Sequence, residues 1–201
     1  NRRQRRADGR IVLGVNPDGP ADRQLGVFRL ARPDGTLIGL IANYTIHGTS
    51  LGGGNRLISG DVPGFASQFV ERATGVPALL INGAEGNVAP LHSVGSNIED
   101  PRLAEYDALL GERILAANAA LKETAADVTL RLGKIVVETP RKAGLGWVDA
   151  LAEYSSTSAD GTHQVRVPVY SLTINSDTVI WAAPLELFSE ISLNIREASP
   201  F

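Results

Sequence analysis

The sequence reads as an α/β or α+β domain with a mixed β-sheet layered with helices, and three observations lead there. Two apolar runs flank the turn Pro33-Asp34-Gly35. A strand-like run, a Gly-rich loop, a helix and a second short apolar run succeed one another between Leu37 and Ile81. Two further extended runs bracket Asp177 near the end. Strands joined as hairpins, mixed with strands separated by helices, favour a mixed sheet with helices packed on it.

Taken in order, Leu25–Leu30 alternates apolar and polar residues, and Leu37–Ile46 follows the Pro-Asp-Gly turn, which makes a β-hairpin. Ile38, Leu40, Ile41 and Ile46 make the second run apolar enough for a buried central strand. Glycines 48, 52, 53 and 54 then carry the chain to Ser59-Gly60-Asp61. Asp61 suits the N-cap of a helix from about Pro63 to Thr74, closed by Gly75. Ala78–Ile81 is a short buried strand ending in the loop Asn82-Gly83-Ala84-Glu85-Gly86-Asn87. Asp100-Pro101 opens the longest helix, to roughly Thr124, with Leu103, Leu110, Ile114, Leu115 and Leu121 on one side. Val128–Val137 is extended, and Thr139–Thr162 is loop with one helical turn. Val165–Ile174 and Val179–Ala183 form a second hairpin, and Pro184-Leu185-Glu186 leads into a closing helix to about Glu197. Nothing repeats and no linker interrupts the chain, so residues 1–201 are expected to belong to one domain.

With 201 residues, 43% of them hydrophobic and 20% charged, the composition is that of an ordinary globular domain. A net charge of -3 gives no reason to expect nucleic acid as a partner. The one basic run, with Arg2, Arg3, Arg5, Arg6 and Arg10, reads as a solvated surface arm, with an acidic partner as the alternative. Without cysteine there is neither a disulfide framework nor thiol chemistry. No apolar run approaches the ~20 residues that cross a bilayer, so no transmembrane segment is expected. The chain lacks Met and opens abruptly on charge, which points to a processed product or an excised segment.

Three polar loops directly follow apolar strands: His47–Ser50, Asn82–Pro90 and Pro184–Glu186. Sheets hold such loops rigidly around a crevice, so strand ends are where sites gather. Neutral imidazole and carboxylate are both zinc ligands, which makes His47 and Glu186 candidates. Each also has a plainer reading. His47 can be a strand-end histidine bonded to its own loop, and Glu186 a carboxylate favoured in the first turn of a helix. His92 and His163 lack a comparable setting and read as surface or structural residues. No His-Glu-x-x-His pair and no phosphate-binding Gly-x-x-x-x-Gly-Lys-Ser/Thr loop is present.

The stretch Asn43-Tyr44-Thr45-Ile46-His47-Gly48-Thr49-Ser50, continued by Asn55-Arg56-Leu57-Ile58-Ser59-Gly60-Asp61 and Gly64-Phe65-Ala66, resembles the neutral/alkaline (non-lysosomal) ceramidase family. Gly86-Asn87-Val88-Ala89-Pro90 falls where that family has Gly-Asp-Val-Ser-Pro, and Pro184-Leu185-Glu186-Leu187-Phe188 is similar to its Pro-Ala/Gly-Glu-Phe element. The likeness is dense from Asn43 to Pro90 and thin beyond. It implies the central and C-terminal part of one ceramidase-like catalytic domain, with flanking segments outside this sequence.

The resemblance implies that His47 and Glu186 bind Zn2+ in a cleft formed by the strand-end loops. A second histidine and a tyrosine near the metal would come from a missing segment or a second chain. Asp61 is expected to brace the His47 loop, as an N-cap or as an acceptor behind the ligand. Ala89 replaces the family's catalytic serine, so serine-dependent cleavage is not expected. Asn87 replaces an Asp and can donate to a substrate or oxyanion. The implied activity is zinc-dependent hydrolysis of an N-acyl amide bond in a small or lipid-like substrate. The same resemblance implies a bacterial protein that is secreted, periplasmic or otherwise outward-facing. The alternative is a non-catalytic relative that serves as a binding or structural domain.

Overall fold

The computed structural model describes residues 1–92, 99–144, 146 and 149–201. They fall into two compact units, one of Asn1–Ala126 with Glu186–Ser199 and one of Asp127–Leu185 with Pro200–Phe201. Strands and helices mix in the manner expected, giving an α+β fold.

The first unit opens with strands β1 (Arg3–Arg5) and β2 (Ile11–Leu13), paired antiparallel with Arg3 opposite Leu13 and Arg5 opposite Ile11. The arginine run is therefore not a free arm: ladder hydrogen bonds hold it, and the chain reverses at Gly9, whose φ is 83°. Strands β3 (Gly26–Ala31) and β4 (Leu37–Tyr44) form the expected hairpin around Pro33-Asp34-Gly35. The Asp34 carboxylate accepts from the Thr36 N–H in the turn. Helix α1 (Asp61–Thr74) follows, and then β5 (Ala78–Asn82), which lies parallel to β4 and makes β4 the central strand of three.

Parallel pairing fixes where a site can form. Tyr44 stands opposite Asn82, so the loops that leave β4 and β5 emerge at the same end of the sheet. Gly83 N–H donates to the Tyr44 carbonyl and begins to weld the two loops together.

Leu40 and Ala42 project from one face of β4 into a core with Val62, Ala66 and Val70 of α1. These helix positions are spaced by four, which aligns them in one stripe. Helix α2 (Pro101–Ala120) adds Leu110 and Ile114. It passes close to α1 at Gly111, where a Cβ would press into the Phe69 ring. Asp100 caps α2 through the Arg102 N–H, as the Asp-Pro pair predicts. The helix ends at Ala120 and not near Thr124. The Arg29 side chain binds the carbonyls of Asn118 and Leu121, which takes up the carbonyls that a further turn would use. Ile38, expected inside the central strand, falls where the β3–β4 register shifts by one residue and is 44% exposed. Helix α3 (Ser189–Ala198) closes the unit, and its Arg196 clamps the buried Asp22 carboxylate at 2.8 and 2.6 Å. Among the described residues no helix is long and apolar enough to cross a membrane.

The second unit is an antiparallel sheet. Strand β6 (Leu130–Pro140) pairs along its whole length with β8 (His163–Ile174). On the other side of β8 lie β7 (Ser155–Thr157) and β9 (Thr178–Ala182). The β8–β9 turn uses Asn175 at φ 54°, a left-handed conformation that Asn tolerates. Its N–H and side chain also bond the backbone of Thr129. The span read as loop with one helical turn holds a 3₁₀ helix, Asp149–Tyr154, and β7. Leu145, Trp147 and Val148 of that span lie outside the described residues.

Candidate functional site

The two residues proposed as ligands meet. His47 Nε2 lies 3.1 Å from Glu186 Oε2, although 139 positions separate them in the chain. Three segments of the first unit produce the approach. His47 follows β4, and both its main-chain N–H and its ring Nδ1 face the Val88 carbonyl, at 3.3 and 2.9 Å. A carbonyl only accepts, so Nδ1 carries a proton, and in the neutral ring Nε2 holds the lone pair that accepts from Arg2 Nη2 at 3.0 Å, beside the Glu186 carboxylate. Imidazole held this way by a second partner is the form that binds metals.

Glu186 arrives by a different route. Helix α3 starts three residues later, so its carboxylate is not part of a first helical turn, contrary to the plainer reading of the sequence. Leu185, immediately before it, has φ 84°, a conformation that costs a non-glycine residue about 1–3 kcal/mol. Its neighbours are fixed by the loop after β5. Gly86 N–H donates to the Leu187 carbonyl at 2.8 Å, and Ser189 Oγ donates to the Ala84 carbonyl at 3.1 Å. A Cβ on Gly86 would collide with the Glu186 carbonyl, so only glycine allows this approach.

Asn87 lies at the centre of that clamp and is 1% exposed. Its Oδ1 accepts from Ser189 N–H at 2.9 Å, and its Nδ2 donates to Glu190 at 2.7 Å. The sequence suggested an amide open to substrate, whereas both ends of this one bind the start of α3.

Asp61 is buried behind His47. Its carboxylate accepts from Ser50 N–H at 3.0 Å, Leu51 N–H at 2.7 Å and its own helix at Val62 N–H, 2.7 Å. It is the first residue of α1 and not its N-cap; Gly60 holds that place without a side-chain bond. With φ 51°, Asp61 turns its carboxylate back onto the loop that follows His47. Ala89 lies two residues beyond Asn87 and is partly buried. His92 is exposed and bonds Tyr106 through its backbone, and His163 lies on β8 facing Thr157.

Arg2 was not singled out by the sequence. Its Nη2 lies 3.0 Å from His47 Nε2, 3.7 Å from Glu186 Oε2 and 3.1 Å from the Gly86 carbonyl. The β1–β2 hairpin puts it there, since Arg2 N–H donates to the Asn87 carbonyl and the Arg2 carbonyl accepts from Gly14. No local pattern distinguishes Arg2 from the other arginines of the run; only its place beside Asn87 does.

His47 and Glu186 suit a zinc ion as two of its ligands. Donor atoms on one tetrahedral zinc, with bonds of about 2.0–2.1 Å, stand roughly 3.3 Å apart, and this pair stands at 3.1 Å. Among the described residues no group of three or more His, Cys, Asp and Glu side chains assembles that could hold a metal ion, and two donors are fewer than the three or four protein ligands that zinc sites use.

These features define an α+β protein in which Glu186, from the segment before α3, meets His47 beside the loops that leave the parallel strands β4 and β5. Solved structures of similar fold are ceramidases. A ceramidase complexed with C2 superposes with a TM-score of 0.63 at 19% identity, over 91% of this chain and 40% of that one. The neutral ceramidase from Pseudomonas aeruginosa gives 0.61 and 19%, over 91% of this chain and 38% of that one. The chain thus has a ceramidase-like fold and spans about two fifths of the length of these structures. No family model and no curated protein matches it.

Proposed function

We propose that this chain forms part of a zinc-dependent, ceramidase-like hydrolase that cleaves an N-acyl amide bond. The observation that carries the proposal is the meeting of His47 Nε2 and Glu186 Oε2 at 3.1 Å, with the imidazole proton committed to Val88. A ceramidase-like fold under that pair supports the reaction class. When bound, zinc supplies a Lewis acid that polarises a carbonyl and lowers the pKa of water to about 7.

This chain's own residues have separate tasks. His47 and Glu186 hold the metal, with further ligands from another segment or a second chain. Val88 fixes the imidazole tautomer, and Asp61 keeps the loop after His47 in place. Asn87 is a positioning residue: it acts on Glu186 through Ser189 and Glu190. The substrate is an N-acyl compound, small or lipid-like, in an enzyme that acts outside the cytoplasm.

A second reading is favoured by Ala89, which stands where the resembling family has its serine. On that reading the chain keeps the fold as a binding or structural domain. Elemental analysis of the intact protein separates the two. The proposed function expects about one zinc per chain, lost in His47→Ala together with hydrolysis of N-acyl substrates. Zinc retained in His47→Ala defeats the assignment of the ligands. Zinc bound through His47 with no turnover of any N-acyl substrate favours the second reading.

A further inference from the structure

We infer that the Arg2 guanidinium and the metal are alternative occupants of the His47–Glu186 pair, so that Arg2 sets the affinity for zinc. This rests on the metal-site reading above and adds the residue that opposes it.

Lone-pair chemistry carries the argument. Neutral imidazole has one acceptor nitrogen with one lone pair. His47 Nδ1 donates to Val88, so Nε2 holds that lone pair, and Arg2 Nη2 donates to it at 3.0 Å. The same electrons cannot take a hydrogen bond and form a bond to zinc. Metal binding at His47 therefore requires the guanidinium to leave.

The pair also needs a cation. Two acceptors 3.1 Å apart repel unless positive charge sits beside them, and Arg2 supplies it from 3.0 and 3.7 Å. Without metal, Arg2 keeps the two ligands assembled. With metal, its charge becomes a competitor at the same point.

Departure of the side chain is local. Main-chain bonds to Asn87 and Gly14 hold the Arg2 backbone, so the stem swings while the hairpin stays. The hydrogen bonds described for the guanidinium all run through Nη2, and its buried Nε has no partner among the described residues. Few interactions hold it back. A site that is open only part of the time binds with an affinity reduced by the open fraction.

The test is a zinc titration of the intact protein against a chromophoric chelator, with wild type, Arg2→Met, Arg2→Lys and His47→Ala compared. Arg2→Met keeps the stem and removes the donor and the charge. It should bind zinc about tenfold more tightly, about 1.4 kcal/mol, with Arg2→Lys close to wild type. Unchanged or weaker binding in Arg2→Met, with binding still abolished by His47→Ala, overturns this inference and leaves the metal site standing. Zinc binding that is absent, or indifferent to His47→Ala, overturns both. Should Arg2→Met fail to fold, the wild type decides by nitrogen NMR of its arginine side chains. Stoichiometric zinc must shift the Arg2 signals, and an Arg2 spectrum unchanged at saturation overturns the inference.

Discussion

The two units of this chain are built from similar amounts of strand but hold themselves together differently. Every fully buried side chain described, apolar or polar, belongs to the unit that contains His47 and Glu186. There Leu40, Val62, Val70 and Ile114 are 2% exposed or less, and polar groups such as Asp61 and Asn87 are buried with partners for their side chains. In the β6–β9 sheet no described side chain is fully buried, and Leu130, Leu132 and Ile135 of β6 are 61%, 87% and 63% exposed. Its order rests on ladder hydrogen bonds, a Lys134–Tyr170 cation–π contact and the exposed Arg166–Glu138 pair. Burial lets the first unit hold ionisable groups at fixed distances; a sheet with wet faces cannot do so. Of the candidate ligands His47 is held in that way, its side chain 10% exposed, whereas Glu186, 64% exposed, is placed by the backbone bonds of the residues that follow it.

Truncation of the core sharpens that contrast most. Leu40→Ala empties a site that is 1% exposed and should cost about 3–4 kcal/mol in denaturant unfolding, because a buried cavity remains. Leu132→Ala in β6 removes a side chain already 87% exposed and should change stability by no more than about 0.5 kcal/mol. Equal losses would mean that the comparison between the units is mistaken.

A smaller effect is expected at the polar clamp. Asn87→Asp replaces an amide that donates to Glu190 at 2.7 Å with a second carboxylate facing the first. Loss of the bond and like-charge repulsion should together cost about 2–3 kcal/mol. Glu190→Gln introduced into that variant gives the new carboxylate a donor and should restore most of the loss. If Asn87→Asp is neutral, the amide is not what ties the β5 loop to α3.

The sequence made much of this legible, and the failures have physical reasons. Alternation and the Pro-Asp-Gly turn give the β3–β4 hairpin, and Gly75 gives the end of α1. His47 and Glu186 could be named because they stand just after strand ends and because of the family resemblance. Their approach to 3.1 Å could not, since it depends on backbone hydrogen bonds from Gly86 to Leu187, from His47 to Val88 and from Gly83 to Tyr44. Main-chain partners leave no mark on residue type. Asn87 illustrates the limit: a polar residue in a strand-end loop looks the same whether it faces a ligand or the neighbouring helix. Arg2 illustrates another, because five arginines in ten residues read as solvent-exposed charge while one of them is turned inward.

An effect smaller than those at Leu40 and Asn87 concerns how α3 is anchored, and pH reports it. Burial pushes the Asp22 carboxyl up, but the Arg196 guanidinium, the Ser192 hydroxyl and the Gln24 N–H more than offset this and hold it below its ordinary value of 3.8. A carboxyl lowered by folding stabilises the native state above its unfolded pKa and loses that contribution as pH falls through its folded one. The bond is therefore complete at pH 7 and weakens below about pH 4. Removing the guanidinium by Arg196→Met leaves burial opposed only by Ser192 and Gln24, so the carboxyl moves up from its wild-type value and its ionised form contributes less to stability. At pH 7 the variant should be less stable by about 1–2 kcal/mol, less than for a fully buried pair because Arg196 is 45% exposed. At pH 3 the difference from wild type should shrink to a small fraction of that. Thermal melts of both proteins at the two pH values measure it. A difference independent of pH would mean that Arg196 anchors α3 by packing its stem and not by its charge, and that the first unit's polar contacts contribute no more than those of the open sheet.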